Sequence, residues 1–108
     1  ESRRTVAWSC DPMHGNTVST DSGVKTRRFE DILAEIGATH RVHGANGSHL
    51  AGVHFELTGE EVTECTGGAG RIGSGDLGRN YQTYCDPRLN YAQSMEMAFL
   101  LAKLLKAK

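Results

Sequence analysis

The sequence predicts an α/β fold built from βα units around a parallel sheet. Three observations carry this expectation. Short β-prone runs alternate with stretches of helical apolar periodicity, in the order strand, helix, strand, loop, strand, helix. Two of those runs are closed by the same tripeptide, Cys-Asp-Pro, at 10–12 and again at 85–87. Three strands with about two helices can neither close a barrel nor cover both faces of a parallel sheet. The chain, a single segment spanning residues 1–108, is therefore expected to be part of a larger α/β protein.

The elements follow in order. Residues 4–10, RTVAWSC, read as the first strand, which ends at Asp11-Pro12 because proline has no N–H to give a ladder. A polar loop is expected from His14 to about Lys25. Phe29, Ile32, Leu33 and Ile36 fall at i, i+3, i+4 and i+7, predicting an amphipathic helix from about 26 to 36 that Gly37 is placed to stop. GVHFELTG, 52–59, reads as the second strand, 60–65 as a short turn of helix, and TGGAGRIGSGDLG, 66–78, as a Gly-rich loop. YQTYCD, 81–86, reads as the third strand, again ended by a proline. Asn90 is suited to cap a final helix from 91 to about 106. Ala92, Met95, Phe99 and Ala102 mark one face of it, and Lys103, Lys106 and Lys108 suit its C-terminal dipole.

Composition excludes several classes of function. Twelve basic residues against 13 acidic ones give a net charge of −1, which is no electrostatic footprint for nucleic acid. No apolar run approaches the ~20 residues of a membrane span. ESRRTVAW has no apolar core of a signal peptide and no initiator methionine, so the chain is expected to begin mid-protein. Three widely spaced cysteines, Cys10, Cys65 and Cys85, form neither a disulfide framework nor a paired zinc motif, and fit a reducing, cytoplasmic setting.

Two motifs are set aside. Gly68, Gly70 and Gly73 spell G-x-G-x-x-G, but SGDLGRN after them is a poor helix start, so the dinucleotide fingerprint lacks its context. His40, His43, His49 and His54 fall within fifteen residues without a cysteine at finger spacing, and are read as polar or packing residues. Glu56 is more informative. On the second strand, alternation puts His54 and Glu56 on one side and Val53, Phe55 and Leu57 on the other. If that side is buried, the carboxylate needs a cation or a metal; on a solvated edge strand it needs neither. His14 lies just beyond the first strand, Glu56 near the end of the second and Asp86 at the end of the third. In parallel α/β folds those C-terminal ends share one rim. One imidazole and two carboxylates form a mixed N/O set suited to Mn²⁺, Co²⁺, Fe²⁺ or Zn²⁺.

DPMHGNT (11–17), KTR (25–27), GVHFELTGEEVTEC (52–65) and YCDPRLN (84–90) resemble the type II 3-deoxy-D-arabino-heptulosonate 7-phosphate (DAHP) synthases. The resemblance runs through nearly the whole chain, into the helix QSMEMAFLLA. It implies the C-terminal part of a (β/α)₈ barrel, its last three strands and final helix, incomplete as an isolated chain. It implies the condensation of phosphoenolpyruvate with erythrose 4-phosphate, with release of phosphate, as the first step of the shikimate pathway to aromatic amino acids. One divalent ion, Mn²⁺ foremost, is implied, with His14, Glu56 and Asp86 matching three of the family's ligands. The implied mechanism is Lewis-acid activation of the aldehyde, attack by C3 of phosphoenolpyruvate, addition of water at C2 and C–O cleavage. Lys25 matches a lysine near the site and is expected to contact substrate. The fourth ligand, a cysteine on an early strand, has no match here, since Cys10 and Cys85 match other positions. Leu50-Ala51 stands where the family commonly has Pro-Gly. The isolated chain is expected to be inactive and to need the remainder of the barrel, and the full-length protein to form homo-oligomers. A non-catalytic metal-binding module, or a truncated remnant, is the alternative.

Overall fold

In the computed structural model, which describes residues 4–106, the chain is a mixed α/β unit of two small sheets and two long helices. Strand β1 (Trp8–Cys10) stops at Asp11-Pro12, as proline requires. A short 3-10 helix (His14–Asn16) follows, then an antiparallel hairpin of β2 (Thr17–Ser19) and β3 (Lys25–Arg27). A polar loop was the expectation for this stretch. The hairpin forms because Gly23, at φ +85°, lets the chain reverse while the Val24 carbonyl accepts the Thr20 N–H at 2.9 Å.

Helix α1 runs Phe29–Ala45, with Glu30 and Asp31 placed against its N-terminal dipole. Phe29, Ile32 and Ile36 are buried, as their spacing predicts. Gly37 does not stop it. A glycine inside a helix costs about 1 kcal/mol, which packing overrides. The stop comes at Asn46-Gly47. Gly47 adopts φ +72°, the Ser48 N–H reaches back to the His43 carbonyl at 3.0 Å and the Gly47 N–H to that of Gly44 at 3.5 Å. That is a Schellman closure.

Strand β4 (Leu50–Val53) starts two residues earlier than the predicted run and pairs in parallel with β1, Cys10 lying opposite Val53. β4 ends at Val53, short of the predicted run to 59. The His54 N–H donates to the Cys10 carbonyl at 2.8 Å, and Leu57 forms an isolated parallel bridge with Leu89. That bridge falls at Leu89, beyond the predicted third strand. Residues 81–86 form no strand, because the Gln82 and Thr83 N–H groups donate to the Glu64 carboxylate instead of a neighbouring ladder. Residues 60–65 form no helical turn either. The Thr63 N–H goes to the Asn80 carbonyl and the Thr66 N–H to that of Arg27, both at 2.9 Å. The end of the Gly-rich loop, in turn, winds into a 3-10 helix (Ser74–Arg79).

Helix α2 (Tyr91–Lys106) begins with a reciprocal cap: the Gln93 N–H donates to Asn90 Oδ1 at 2.8 Å, and the Asn90 N–H to Gln93 Oε1 at 3.0 Å. Its buried face differs from the predicted one. Gln93 and Met97 are buried, with Leu100, Leu101 and Leu104 packed partly against the core, whereas Met95 and Phe99 are 42% and 71% exposed. The periodicity admits either stripe, and the contact with α1 selects between them. Lys103 and Lys106 occupy the last turn, and Lys108 lies outside the described residues.

The core unites Met13, Phe29, Ile32, Ile36, Cys65, Leu89 and Met97. Burial pushes the Cys65 thiol up to about 12, which leaves it an inert apolar filler. Among the described residues no helix is long and apolar enough to cross a membrane. Asn90 holds two elements at once, since its Nδ2 also donates to the Val62 carbonyl at 3.0 Å. Asn90→Ala is expected to lower stability by about 2 kcal/mol, the upper end for an N-cap. A urea midpoint equal to that of the unaltered chain would contradict this.

Candidate metal centre

The core carries the site directly above it. Met13 is fully buried beside His14, and Leu89 is fully buried three residues after Asp86. These two anchors fix the loops that leave β1 and precede α2, while the bridge from Leu57 to Leu89 ties the Glu56 segment between them. One ligand atom from each of His14, Glu56 and Asp86 lies within 4.8 Å of the others. His14 Nε2 is 3.1 Å from Glu56 Oε1 and 3.7 Å from Asp86 Oδ2. His54 joins Glu56 on this side of its segment, as alternation predicts, with its ring stacked on His14 at a centroid distance of 6.3 Å.

Each of the three donors has its other polar atom tied down. His14 Nδ1 lies 2.6 Å from Asp11 Oδ2, so Asp11 orients the ring with Nε2 toward the two carboxylates. Glu56 Oε2 accepts from Arg27 Nη1. Asp86 Oδ1 accepts from Lys25 Nζ at 2.7 Å. Three lone-pair donors thus converge, each presented through one atom, in an arrangement that a divalent cation fits.

Two carboxyls of the site, Asp86 and Asp11, are held below their usual value. The Lys25 ammonium beside Asp86 holds that carboxyl below its usual value, and the same bond raises Lys25. Burial works against Asp11, but the Met13 and His14 N–H groups and the His14 ring outweigh it and hold its carboxyl low. A cleft of about 330 Å³ opens beside the donors, lined in part by Glu56, Cys85, Asp86 and Arg88.

Sequence reasoning brought His14, Glu56 and Asp86 to one rim and the family resemblance added Lys25 beside them; in the structure the four side chains lie together. It missed three residues. Asp11 was read only as part of the strand-ending Asp-Pro, although its place three residues before His14 on a tight turn is the visible sign of a ring-orienting partner. Arg27 and Glu64 carried no local signal. Arg27 is fully buried and touches Glu56 and the Pro87 carbonyl. Glu64 is fully buried under the 82–88 segment and accepts the N–H groups of Gln82, Thr83 and Arg88.

Apart from His54, whose ring stacks on His14, the motifs set aside stay outside the site. The Gly68 N–H donates to Glu30 Oε2 at 3.1 Å and the Ala69 N–H to Glu96 Oε1 at 2.8 Å. Carboxylates thus occupy the donors that a dinucleotide phosphate would need. His43 bonds Ser48 at 2.7 Å and packs on Trp8. Cys10 lies against Thr39 and stands, like Cys85, outside the donor cluster. All three cysteines are free.

A family model described as the class-II DAHP synthetase family matches residues 1–102. The chain is 54% identical over 102 residues to a phospho-2-dehydro-3-deoxyheptonate aldolase of Neurospora crassa, covering 94% of this chain and 21% of that protein. It is 53% identical to a protein of the same name from Streptomyces coelicolor, covering 94% of this chain and 23% of that one. A third protein of that name, from Streptomyces lividans, is 51% identical, with 94% and 70% covered. The chain therefore spans less than a quarter of the first two relatives.

Proposed function

The chain belongs to the class-II DAHP synthetase family, and from that premise we propose that it is the C-terminal part of a metal-dependent DAHP synthase. In this reading it supplies the last strands and final helix of a (β/α)₈ barrel. The observation that carries it is the convergence of His14, Glu56 and Asp86 from three segments distant in sequence. Exposed apolar side chains support the partial barrel: Trp8, Leu57, Tyr91, Met95 and Phe99 all lie on the surface, where further barrel elements would cover them.

The substrates are phosphoenolpyruvate and erythrose 4-phosphate. A carbon–carbon bond forms between C3 of the first and the aldehyde carbon of the second, water adds at C2, and phosphate leaves. His14, Glu56 and Asp86 hold one divalent ion, Mn²⁺ foremost with Co²⁺, Fe²⁺ or Zn²⁺ also suited to the donors. When bound, that ion supplies Lewis-acid polarisation of the aldehyde. The protein's own groups do the rest. Asp11 holds the His14 ring with Nε2 turned toward the carboxylates. Lys25 holds Asp86 by one oxygen and places a positive charge at the mouth of the site, where an anionic sugar phosphate arrives. The full-length protein acts in the cytoplasm as a homo-oligomer, and the isolated chain, spanning 21% of the Neurospora crassa relative, is inactive.

The test follows phosphoenolpyruvate absorbance with the full-length protein, erythrose 4-phosphate and Mn²⁺, beside an EDTA-treated sample and the 108-residue chain alone. The expected result is consumption by the full-length protein, abolished by EDTA and restored by Mn²⁺. Consumption that survives complete metal removal defeats the metal-dependent reading. Metal binding by the full-length protein without turnover favours a binding module instead.

A further inference from the structure

We propose that Arg27 is a positioning residue of this centre: it orients Glu56 so that only Oε1 is offered to a metal, and ties together the three segments that carry the donors. The inference rests on the metal-binding reading above. Arg27 is fully buried on β3 although its side chain carries a charge. Such burial is costly unless the charge is paired and hydrogen-bonded. Its partners explain why it sits there. Nη1 donates to Glu56 Oε2 and also to the Pro87 carbonyl, at 2.8 Å, one residue after Asp86. Nε donates to Thr17 Oγ1 at 2.9 Å, three residues after His14. One guanidinium thus reaches the segments of all three donors, across sequence separations of 10, 29 and 60 residues.

The geometry also selects the coordination mode. Glu56 has two oxygens, and Arg27 takes Oε2. The remaining oxygen, Oε1, is the one 3.1 Å from His14 Nε2. A carboxylate held in this way binds through a single oxygen and cannot turn to bind through both. Arg27 Nη2 is buried without a hydrogen-bond partner among the described residues. The side chain is therefore imperfectly satisfied as a packing element, while its contacts to the donor segments are fully made. Lysine keeps the charge but has no planar fork with which to reach Glu56, Pro87 and Thr17 together.

The experiment uses the full-length protein, stripped of metal and titrated with Mn²⁺ by calorimetry. Arg27→Lys is compared with Ile36→Ala, a core substitution away from the donors. A crystal structure of the Mn²⁺-loaded unaltered protein is determined alongside. Arg27→Lys is expected to bind Mn²⁺ roughly 10–100-fold more weakly. Ile36→Ala is expected to melt earlier with its Mn²⁺ affinity unchanged. In the loaded structure, Glu56 contacts the ion through Oε1 alone, with Oε2 kept on Arg27. The proposal is overturned if Arg27→Lys binds as tightly as the unaltered protein, if Ile36→Ala loses as much affinity as Arg27→Lys, or if Oε2 enters the coordination sphere. Should Arg27→Lys not fold, the loaded structure decides alone. Failure of the unaltered protein to bind Mn²⁺ defeats the metal reading itself and takes this inference with it.

Discussion

His14→Ala is expected to remove high-affinity metal binding while leaving the fold intact. Its imidazole is the only nitrogen in the donor set, and Asp11 is committed to aiming it. Without it, two carboxylates held by Arg27 and Lys25 remain, each with one oxygen already engaged. The loss is expected to exceed the roughly 10–100-fold that follows removal of a supporting partner of a ligand. The fold is spared because the His14 side chain is 52% exposed, while its neighbour Met13 does the packing. Calorimetric titration with Mn²⁺, paired with a thermal melt of the metal-free protein, separates the two effects. His54→Ala serves as the contrast: its ring stacks on His14 but contributes no donor to the cluster, so its affinity loss is expected to be small. Unchanged Mn²⁺ affinity in His14→Ala would remove His14 from the site.

Glu64→Gln is expected to give the largest loss of stability. This carboxylate has no solvent exposure. Oε1 accepts from the N–H and Nε of Arg88, and Oε2 from the N–H groups of Gln82 and Thr83 and from Arg88 Nη2, all within 2.9–3.0 Å. Glutamine offers one acceptor oxygen, and turns an NH₂ group toward donors on the other side. Disrupting a buried ion pair through one partner costs about 3–5 kcal/mol, and urea denaturation measures it. A midpoint within error of the unaltered protein's would show that the 82–88 segment is held by something else. Because that segment carries Asp86, weaker Mn²⁺ binding is expected to accompany the loss.

The same contacts set a pH dependence. Burial raises the Glu64 carboxyl, but the Arg88 side chain and the Arg88 and Gln82 N–H groups outweigh it and hold it below its ordinary 4.5. A depressed carboxyl stabilises the fold fully above its unfolded value, and the stabilisation is lost as pH falls through the folded one. The stability gap between the unaltered protein and Glu64→Gln is therefore constant above about pH 5 and narrows as pH falls below the ordinary carboxyl value of 4.5 and through the lower folded one. A gap that persists undiminished at low pH would contradict this assignment.

Much of this was legible in the residues, and the parts that were not share a cause. The α1 periodicity identified Phe29, Ile32 and Ile36 as core, and Pro12 placed the end of β1. Asn90 announced the start of α2, since a cap acts within three residues. Local rules succeed where the deciding contact is local. Gly37 misled because a single glycine is a weaker signal than the Asn46-Gly47 pair that follows, whose closure involves only the helix's own last turn. The α2 face was misjudged because two stripes are apolar, and only packing against α1 and the core distinguishes Met97 from Phe99.

By itself the sequence determined the buried face of α1, the extent of α2, the end of β1 and the family resemblance carried by its long motifs, and it predicted that His14, Glu56 and Asp86 come together. Only the tertiary structure decided that residues 81–86 form no strand, that Asp11 aims the imidazole, and that Arg27 and Glu64 are buried. The physical reason is range. A buried charge is tolerable only with partners, and those of Arg27 and Glu64 come from segments 10 to 60 residues away. Nothing in the residues beside a charged side chain announces which distant carbonyl or carboxylate will meet it.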